Sequence, residues 1–226
     1  MKVTYYGHSC FSVAVCGKTL LFDPFITPNP LAKAVDVMKI RPDYILVSHG
    51  HEDHVADAVG IAKHTGATVI ANYEVAMWLN KKGAPKIHPM NHGGWAMFEF
   101  GPVKFVNAIH SSTMPDGSPG GNPGGFIVET ADGNFYYSGD TALTLDMKLI
   151  GDSTKLKFAA LCIGDNFTMG PDDAVKAADF IRCKEILGVH YDTFPPIKID
   201  HGLAIKKFAA TGKTLHLPGI GETRDF

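Results

Sequence analysis

The sequence predicts a mixed α+β fold in which short buried strands alternate with helices. Short apolar runs, rich in β-branched and aromatic residues and bounded by turn residues, recur along the chain and are typical of strands. Longer segments with helical signals separate many of these runs. A chain of 226 residues is long enough for one substantial core and too short for two ordinary domains with linkers. We therefore expect residues 1–226 to form a single domain.

The N-terminal segment predicts three short strands, over residues 2–6, 11–15 and 18–22. Cys16-Gly17 is typical of the tight turn that joins two antiparallel strands. A continuously apolar run over residues 44–47 then predicts a buried strand, and residues 53–63 predict a helix.

The remaining elements follow from the same signals. Gly83 ends one predicted helix, and Pro171 suits the first turn of another. The further strands are predicted over residues 68–71, 86–90, 95–100, 103–109, 125–130, 134–138, 158–163, 185–189 and 214–216. The further helices are predicted over residues 73–81, 142–150, 171–181 and 200–210.

Residues 48–54, which read Ser-His-Gly-His-Glu-Asp-His, are the densest chemical feature of the chain. Imidazole and carboxylate groups are the usual ligands of Zn²⁺ and similar ions, and this run contains more of them than one site needs. His49 and His51 face the same way if the strand continues in extended form. Asp53 and His54, at the start of the next helix, then point to a second ion. Gly50 suits a tight turn of the backbone beside them.

This run matches the His-x-His-x-Asp-His signature of the metallo-β-lactamase superfamily of hydrolases, and the sequence resembles that family over nearly its whole length. Later candidate ligands follow predicted strands in the same order: His110, Asp140 and His190. The resemblance implies an αββα four-layer sandwich, in which two mixed β-sheets pack face to face with helices outside and metals at one sheet edge.

The resemblance also implies two divalent metal ions. It assigns His49, His51 and His110 to one ion, and Asp53, His54 and His190 to the other. Asp140 would bridge the two, although an isolated aspartate after a strand also suits a turn or a helix cap. Zinc suits this histidine-rich set, and the residue types also accept Mn²⁺, Fe, Co²⁺ or Ni²⁺.

Two residues before the motif are further candidates. His8 lies in a turn and is either a surface residue or, by resemblance to the branch that includes ascorbate-6-phosphate lactonase, a residue beside the metals that contacts a substrate anion. Asp23 precedes Pro24 and is either a turn former or, by the same resemblance, a carboxylate that supports the metal-binding loop from behind the ligands.

The implied function is a metal-dependent hydrolase that uses a metal-activated water on an ester, lactone or phosphoester bond of a small or medium-sized substrate. Asp53 would receive a proton during this reaction. One alternative is a ribonuclease Z-like nuclease, which the net charge of −2 and the lack of a large inserted domain argue against. A second is a di-iron oxidoreductase, although members of that type commonly have Glu where His51 stands. A third is a metal-binding scaffold without activity.

Composition adds expectations about location and partners. Four scattered cysteines without a Cys-x-x-Cys pair, and no segment resembling a secretory signal or a membrane span, predict reduced thiols in the cytoplasm. We expect a small-molecule substrate, and neither nucleic acid nor membrane as a partner. The sequence leaves both a monomer and a homo-oligomer open. Residues 111–125, rich in Ser, Pro and Gly, are a candidate lid because they directly follow His110.

Overall fold

Two seven-stranded mixed β-sheets form the centre of the protein, in a computed structural model that describes residues 1–226. The first sheet contains β1 (Lys2–Gly7), β2 (Cys10–Val15), β3 (Lys18–Phe22), β4 (Tyr44–Val47), β5 (Thr68–Asn72) and β6 (Lys86–Met90). The second contains β7 (Trp95–Phe98), β8 (Gly101–Asn107), β9 (Gly124–Val128), β10 (Asn134–Tyr137), β11 (Leu156–Cys162), β12 (Glu185–Val189) and β13 (Thr214–His216). The last strand, β14 (Thr223–Asp225), returns to the first sheet and pairs with β1.

Six α-helices lie along the chain between these strands. They are α1 (Glu52–Val55), α2 (Ala58–Thr65), α3 (Tyr73–Lys81), α4 (Met147–Ser153), α5 (Pro171–Phe180) and α6 (His201–Ala209). Short 3₁₀ turns occur at Val37–Lys39 and Pro195–Ile197. None of the helices has the length and apolar character needed to cross a bilayer.

The strand side chains divide between two apolar clusters, as the period of two along a strand requires. In β4, Leu46 joins the cluster between the sheets, whereas Ile45 and Val47 join a cluster that also contains residues of α2 and α3. On the second sheet, α5 packs against β11 and α6 against β13. The layers therefore run helix, sheet, sheet, helix, and the predicted αββα sandwich with two mixed sheets is confirmed.

Strand direction brings the carboxyl ends of six strands to one edge of the sandwich. In the first sheet β1 and β3 run parallel, because each is antiparallel to β2, and β4 is parallel to β3. In the second sheet β8 runs parallel to β10 for the same reason, and β10, β11 and β12 are parallel. The carboxyl ends of β1, β3 and β4 thus lie at one edge of their sheet, and those of β8, β10 and β12 at one edge of theirs.

Two predicted helices differ from the structure by more than one residue at an end. The helix predicted over residues 53–63 is interrupted between α1 and α2, where the carboxylate of Asp57 accepts hydrogen bonds from the backbone N–H groups of Ile26 (2.6 Å) and Thr27 (2.8 Å). The helix predicted over residues 142–150 begins later, at Met147, because Ala142 N–H donates to the carbonyl of Ile109. In both places a residue forms hydrogen bonds with a neighbouring loop, and the regular hydrogen bonds of the helix do not continue through it.

The aromatic cluster between the sheets gives a test of the packing. Phe135 is fully buried, stacks on Phe158 at a ring-centroid distance of 5.0 Å and meets the edge of Phe22 at 5.8 Å. We expect Phe135→Ala to lower the free energy of unfolding by about 3–5 kcal/mol, because it leaves a cavity. Phe167 is 54% exposed, and Phe167→Ala is the matched control with an expected change within about 0.5 kcal/mol. Urea denaturation measures both, and equal losses would contradict this account.

Candidate metal centre

Histidine and aspartate side chains from the two sheets meet at the edge where these six strands end. His8 lies in the turn after β1, and Asp23 directly follows β3. Residues 49–54 follow β4 and lead into α1, while His110, Asp140 and His190 come after β8, β10 and β12. All nine residues singled out in the sequence are therefore brought to one site.

The candidate ligands form two groups within which the donor atoms lie no more than 4.8 Å apart. One group consists of His49, His51 and His110, with His49 Nε2 only 2.9 Å from His51 Nδ1. The other group adds His8 to the predicted set and consists of His8, Asp53, His54 and His190. A third combination, Asp23 with His49 and His54, involves the outer side of His54, where Asp23 lies 2.7 Å from its Nδ1.

Asp140 lies between the two groups. Its Oδ2 atom is 2.9 Å from His190 Nε2 and 3.2 Å from His54 Nε2. The same oxygen is 3.7 Å from His110 Nε2 and 4.0 Å from His49 Nε2. One carboxylate is therefore placed to contact whatever each group binds.

The carboxylate of Asp23 organises the side of the site away from solvent. Its Oδ2 accepts hydrogen bonds from Ser48 Oγ and Tyr137 OH (2.5 Å each) and from His54 Nδ1 (2.7 Å), and its Oδ1 accepts one from Ser48 N (2.7 Å). The bond to Asp23 holds a proton of His54 on Nδ1, so Nε2 is the nitrogen that faces the centre.

Serine hydroxyls orient two further histidines. Ser48 donates its one hydroxyl proton to Asp23, so it accepts from His49 Nδ1 (3.0 Å) and leaves the His49 Nε2 lone pair free. Ser111 Oγ lies 3.3 Å from His51 Nε2, which leaves His51 Nδ1 directed toward His49. Asp23 and Ser48 thus determine which nitrogen of His54 and of His49 faces the centre, and Ser111 contacts the outer nitrogen of His51.

The backbone is left-handed at three of the non-glycine site residues. The φ angles of His8, Asp23 and His190 are 55°, 38° and 56°. Such conformations cost on the order of 1 kcal/mol or more and persist where the surrounding structure enforces them. The fold therefore holds these side chains in positions that ordinary strand ends do not provide.

Two glycines beside the cluster lie close to neighbouring atoms. At Gly139, where φ is +59°, a Cβ atom would lie 2.5 Å from the carbonyl oxygen of Gly124 and 2.9 Å from Ser48 Cβ. At Gly50 a Cβ atom would lie 2.4 Å from Met114 Sδ. The space at Gly50 is limited by the segment that follows His110. The sequence predicted a tight turn at Gly50 and did not predict this close approach.

The protonation states suit the binding of a cation. Burial lowers the pKa of His49, His51 and His110, which keeps these rings neutral with a lone pair to donate. Burial alone would raise the pKa of Asp140, but His190 and His54 hold it well below its ordinary value. Burial would likewise lower the pKa of His54, and Asp140 is the first of three carboxylates that instead raise it well above the ordinary value. The carboxylates thus favour a positive charge at His54 Nε2. Without a metal ion this charge is a proton, and a bound metal ion would replace it.

Unpaired buried atoms support the same conclusion. His54 Nε2 and Asp140 Oδ1 are buried and make no hydrogen bond of acceptable geometry. Buried polar atoms are nearly always paired, so orphans that meet in one cluster suggest a bound ion. The neutral imidazoles and the charged carboxylates are also donors of the type that Zn²⁺ and related ions prefer. The residues therefore fit a metal centre.

Burial lowers the pKa of His8 to about 4, so its ring is neutral near pH 7. Its Nδ1 lies 2.9 Å from Thr193 Oγ1 and its Nε2 lies 3.0 Å from Asp53 Oδ2. Both nitrogens are thus occupied within the protein. The predicted contact with a substrate anion would require His8 to release one of these partners.

The sequence interpretation gave no orienting role to Ser48, Tyr137 or Ser111, and it considered Thr193 only as one of several residues after His190 that could line the pocket. Ser48 belongs to the motif itself, and the alternation along β10 signals that Tyr137 shares a face with Phe135. Thr193 gives no comparable signal, because its partner His8 is 185 residues away in the sequence.

The segment over residues 111–125 is tied to the site region by hydrogen bonds. Ser112 Oγ accepts from Gly50 N (3.0 Å), and the buried Asn72 donates to the carbonyls of Gly120 (2.7 Å) and Asn122 (2.9 Å). Thr113 and Pro119 form an isolated β-bridge. Whether this segment acts as a lid remains a prediction.

Comparison with known proteins gives consistent matches. A family model described as a β-lactamase superfamily domain matches residues 2–190. The chain is 54% identical over 223 residues to a UPF0173 metal-dependent hydrolase of Flavobacterium johnsoniae, with 99% of each chain covered. It is also 54% identical over 224 residues to one of Christiangramia forsetii, again with 99% of each covered. The solved structure of Igni18, a metallo hydrolase from Ignicoccus hospitalis, is similar with a TM-score of 0.89 and 34% identity, covering 100% of this chain and 98% of that one.

The Asp23 network predicts a large effect on stability. Asp23→Ala would leave the donors of Ser48, His54 and Tyr137 buried without their acceptor, and we expect the free energy of unfolding to fall by about 3–5 kcal/mol. Asp225 pairs with Lys2 on the surface, and its side chain is 74% exposed. Asp225→Ala is therefore the control, with an expected loss below about 1 kcal/mol. Urea denaturation of the metal-free proteins measures both, and similar losses would refute the central role of Asp23.

Proposed function

The chain belongs to the UPF0173 family of metal-dependent hydrolases in the metallo-β-lactamase superfamily, and we propose that it uses a binuclear metal centre to hydrolyse an ester, lactone or phosphoester bond. The observation that carries this proposal is the position of Asp140 between two groups of donor atoms. Two-metal hydrolytic sites hold their ions about 3.5–4 Å apart and need a shared ligand of this kind.

In this proposal His49, His51 and His110 hold one ion, while Asp53, His54 and His190 hold the second. Asp140 bridges them, and Asp23 supports His54 from behind. Zinc is the proposed metal, since the set is rich in imidazole, although the same donors also accept Mn²⁺, Fe, Co²⁺ or Ni²⁺.

Such ions, when bound, make a nucleophilic water available near neutral pH and stabilise negative charge on the substrate. The chain itself contributes a carboxylate that can take up a proton. The side chain of Asp53 is 25% exposed, whereas those of His54 and Asp140 are almost fully buried. Asp53 is thus both within the cluster and accessible from outside, which is the position that a proton acceptor requires.

The alternatives have weaker support. A nuclease of the ribonuclease Z type would need a surface that binds phosphates, and the chain has a net charge of −2. A di-iron oxidoreductase commonly has Glu at the position of His51. A scaffold without activity would not need Asp53 to be accessible.

We propose a small or medium-sized molecule as the substrate. The features that resemble the ascorbate-6-phosphate lactonase branch are Gly7-His8 and Asp23-Pro24, and both His8 and Asp23 lie at the site. A lactone is therefore a reasonable first substrate class to test, alongside esters and phosphoesters.

We propose a cytoplasmic location, because all four cysteines are free and three of them are buried, as expected for reduced thiols. The proposal includes neither a nucleic acid nor a membrane partner. It applies equally to a monomer and to a homo-oligomer.

The deciding experiment measures metal content and bond specificity together. Elemental analysis of the purified protein is expected to give about two metal ions per chain. Turnover of ester, lactone, phosphomonoester and phosphodiester substrates is expected to disappear on metal removal and to return on addition of Zn²⁺ or another divalent ion. Iron without hydrolysis would favour the oxidoreductase, and metal without any turnover would favour the scaffold.

Asp140→Ala tests the bridging role. Because the proposed bridge contacts both ions, we expect this variant to lose metal and hydrolysis together, with activity at least about 100-fold lower. Asp146→Ala is the control, since Asp146 accepts a hydrogen bond from Asn107 (2.8 Å) on the surface. Full metal occupancy and unchanged turnover in Asp140→Ala would remove Asp140 from the centre.

A further inference from the structure

His8 links the two sheets beside the metal centre. It lies in the turn after β1, and its backbone carbonyl accepts hydrogen bonds from Tyr5 OH (3.0 Å) and from His190 N (2.9 Å), which follows β12 in the other sheet. The His8 residue is 1% exposed. A buried ring at a junction of this kind has a fixed position relative to both groups of strands.

The hydrogen bonds of the His8 ring determine its tautomer. Asp53 is held as a carboxylate and only accepts, so His8 Nε2 must carry the proton that lies between them (3.0 Å). His8 Nδ1 then has a lone pair and must accept the hydroxyl proton of Thr193, whose Oγ1 is 2.9 Å away. The other acceptor within reach of that hydroxyl, the carbonyl of Tyr191, is more distant at 3.4 Å.

Aromatic packing prevents the His8 ring from turning away. Phe25 and Phe194 each meet the ring edge to face, with centroids 5.5 Å away. The His190 ring lies against it with a centroid separation of 4.3 Å. Rotation of His8 would therefore break two hydrogen bonds and disturb these ring contacts.

We propose that Thr193 and His8 form a positioning pair for Asp53, in which Thr193 fixes the His8 tautomer and His8 fixes the carboxylate of Asp53. This proposal rests on the proposed metal centre and assigns a role to Thr193, whose hydroxyl contacts His8 and none of the residues proposed to hold the ions. Partners of this kind orient ligands, and their removal typically weakens metal binding about 10–100-fold.

The effect is confined to one group of ligands. Asp53 Oδ2 lies 3.8 Å from His54 Nε2 and 3.9 Å from His190 Nε2, so these three residues share one half of the site. His49 and His51 are oriented instead by Ser48 and Ser111. Loss of the Thr193 hydroxyl should therefore weaken the binding of one of the two metal ions and leave the binding of the other unchanged.

Thr193→Val tests this, because valine keeps the branched shape and removes the hydroxyl. In chelator-competition titrations with Zn²⁺ we expect one of the two dissociation constants to rise at least about tenfold and the other to stay unchanged. The titration is then repeated in proteins that also carry His110→Ala, which disables the other half-site. In that background Thr193→Val should still raise the remaining dissociation constant about tenfold. Thr193→Ser restores the hydroxyl and should restore the affinity.

The control is Thr154→Val, which removes a hydroxyl that donates to Glu129 (3.1 Å) on a buried threonine outside the site. Thermal unfolding of the metal-free proteins separates a general loss of stability from a local one. The positioning role would be overturned if Thr193→Val weakened the binding of both ions equally or of neither ion. It would also be overturned if Thr193→Ser did not restore the affinity. A wild-type protein that binds fewer than two Zn²⁺ ions would instead refute the proposed binuclear centre and, with it, this inference.

Discussion

The buried carboxylate of Asp23 is the interaction on which the site depends most. It lies at the end of β3 and accepts hydrogen bonds from Ser48 and His54, in the segment after β4, and from Tyr137 in the opposite sheet. A buried carboxylate is costly unless its oxygens are fully paired, and here four donors satisfy them. The same bonds that offset this cost orient His54 and join the two sheets at the edge where the other candidate ligands meet.

Strand direction explains why residues so far apart in the chain converge. Each sheet begins with antiparallel strands and continues with parallel ones in sequential order, so the two halves share a topology although the sequence shows no repeat. Parallel strands end at the same edge, and open α/β sheets bind ligands at their carboxyl ends. The motif after β4 supplies several side chains at once, whereas the second sheet contributes one residue from each of three strands.

These features determine how much could be predicted from the sequence. The strands with continuous apolar runs were predicted closely, and the resemblance gave the correct layered fold because the motif lies in a fixed place within it. The break at Asp57 and the late start of α4 were not predicted, since both depend on hydrogen bonds to loops distant in sequence. The edge strand β14 was missed for another reason: its three residues are all exposed and carry no apolar pattern.

The same distinction applies within the site. Residue type identified the candidate donors, because histidine and aspartate at this density have few structural explanations. The orienting residues that the sequence did not identify as such are serine, threonine and tyrosine, which are common throughout any chain, and only the folded geometry distinguishes the role of Thr193 from that of other threonines. The exposure of the cluster adds a direction of approach: the side chains of Asp53 and His110 are 25% and 14% exposed, whereas that of His190 is 3% exposed and that of His54 is fully buried. Solvent therefore reaches the cluster at Asp53 and His110, and also at the half-buried His51, and the His8 bond leaves the Asp53 carboxylate partly open to it.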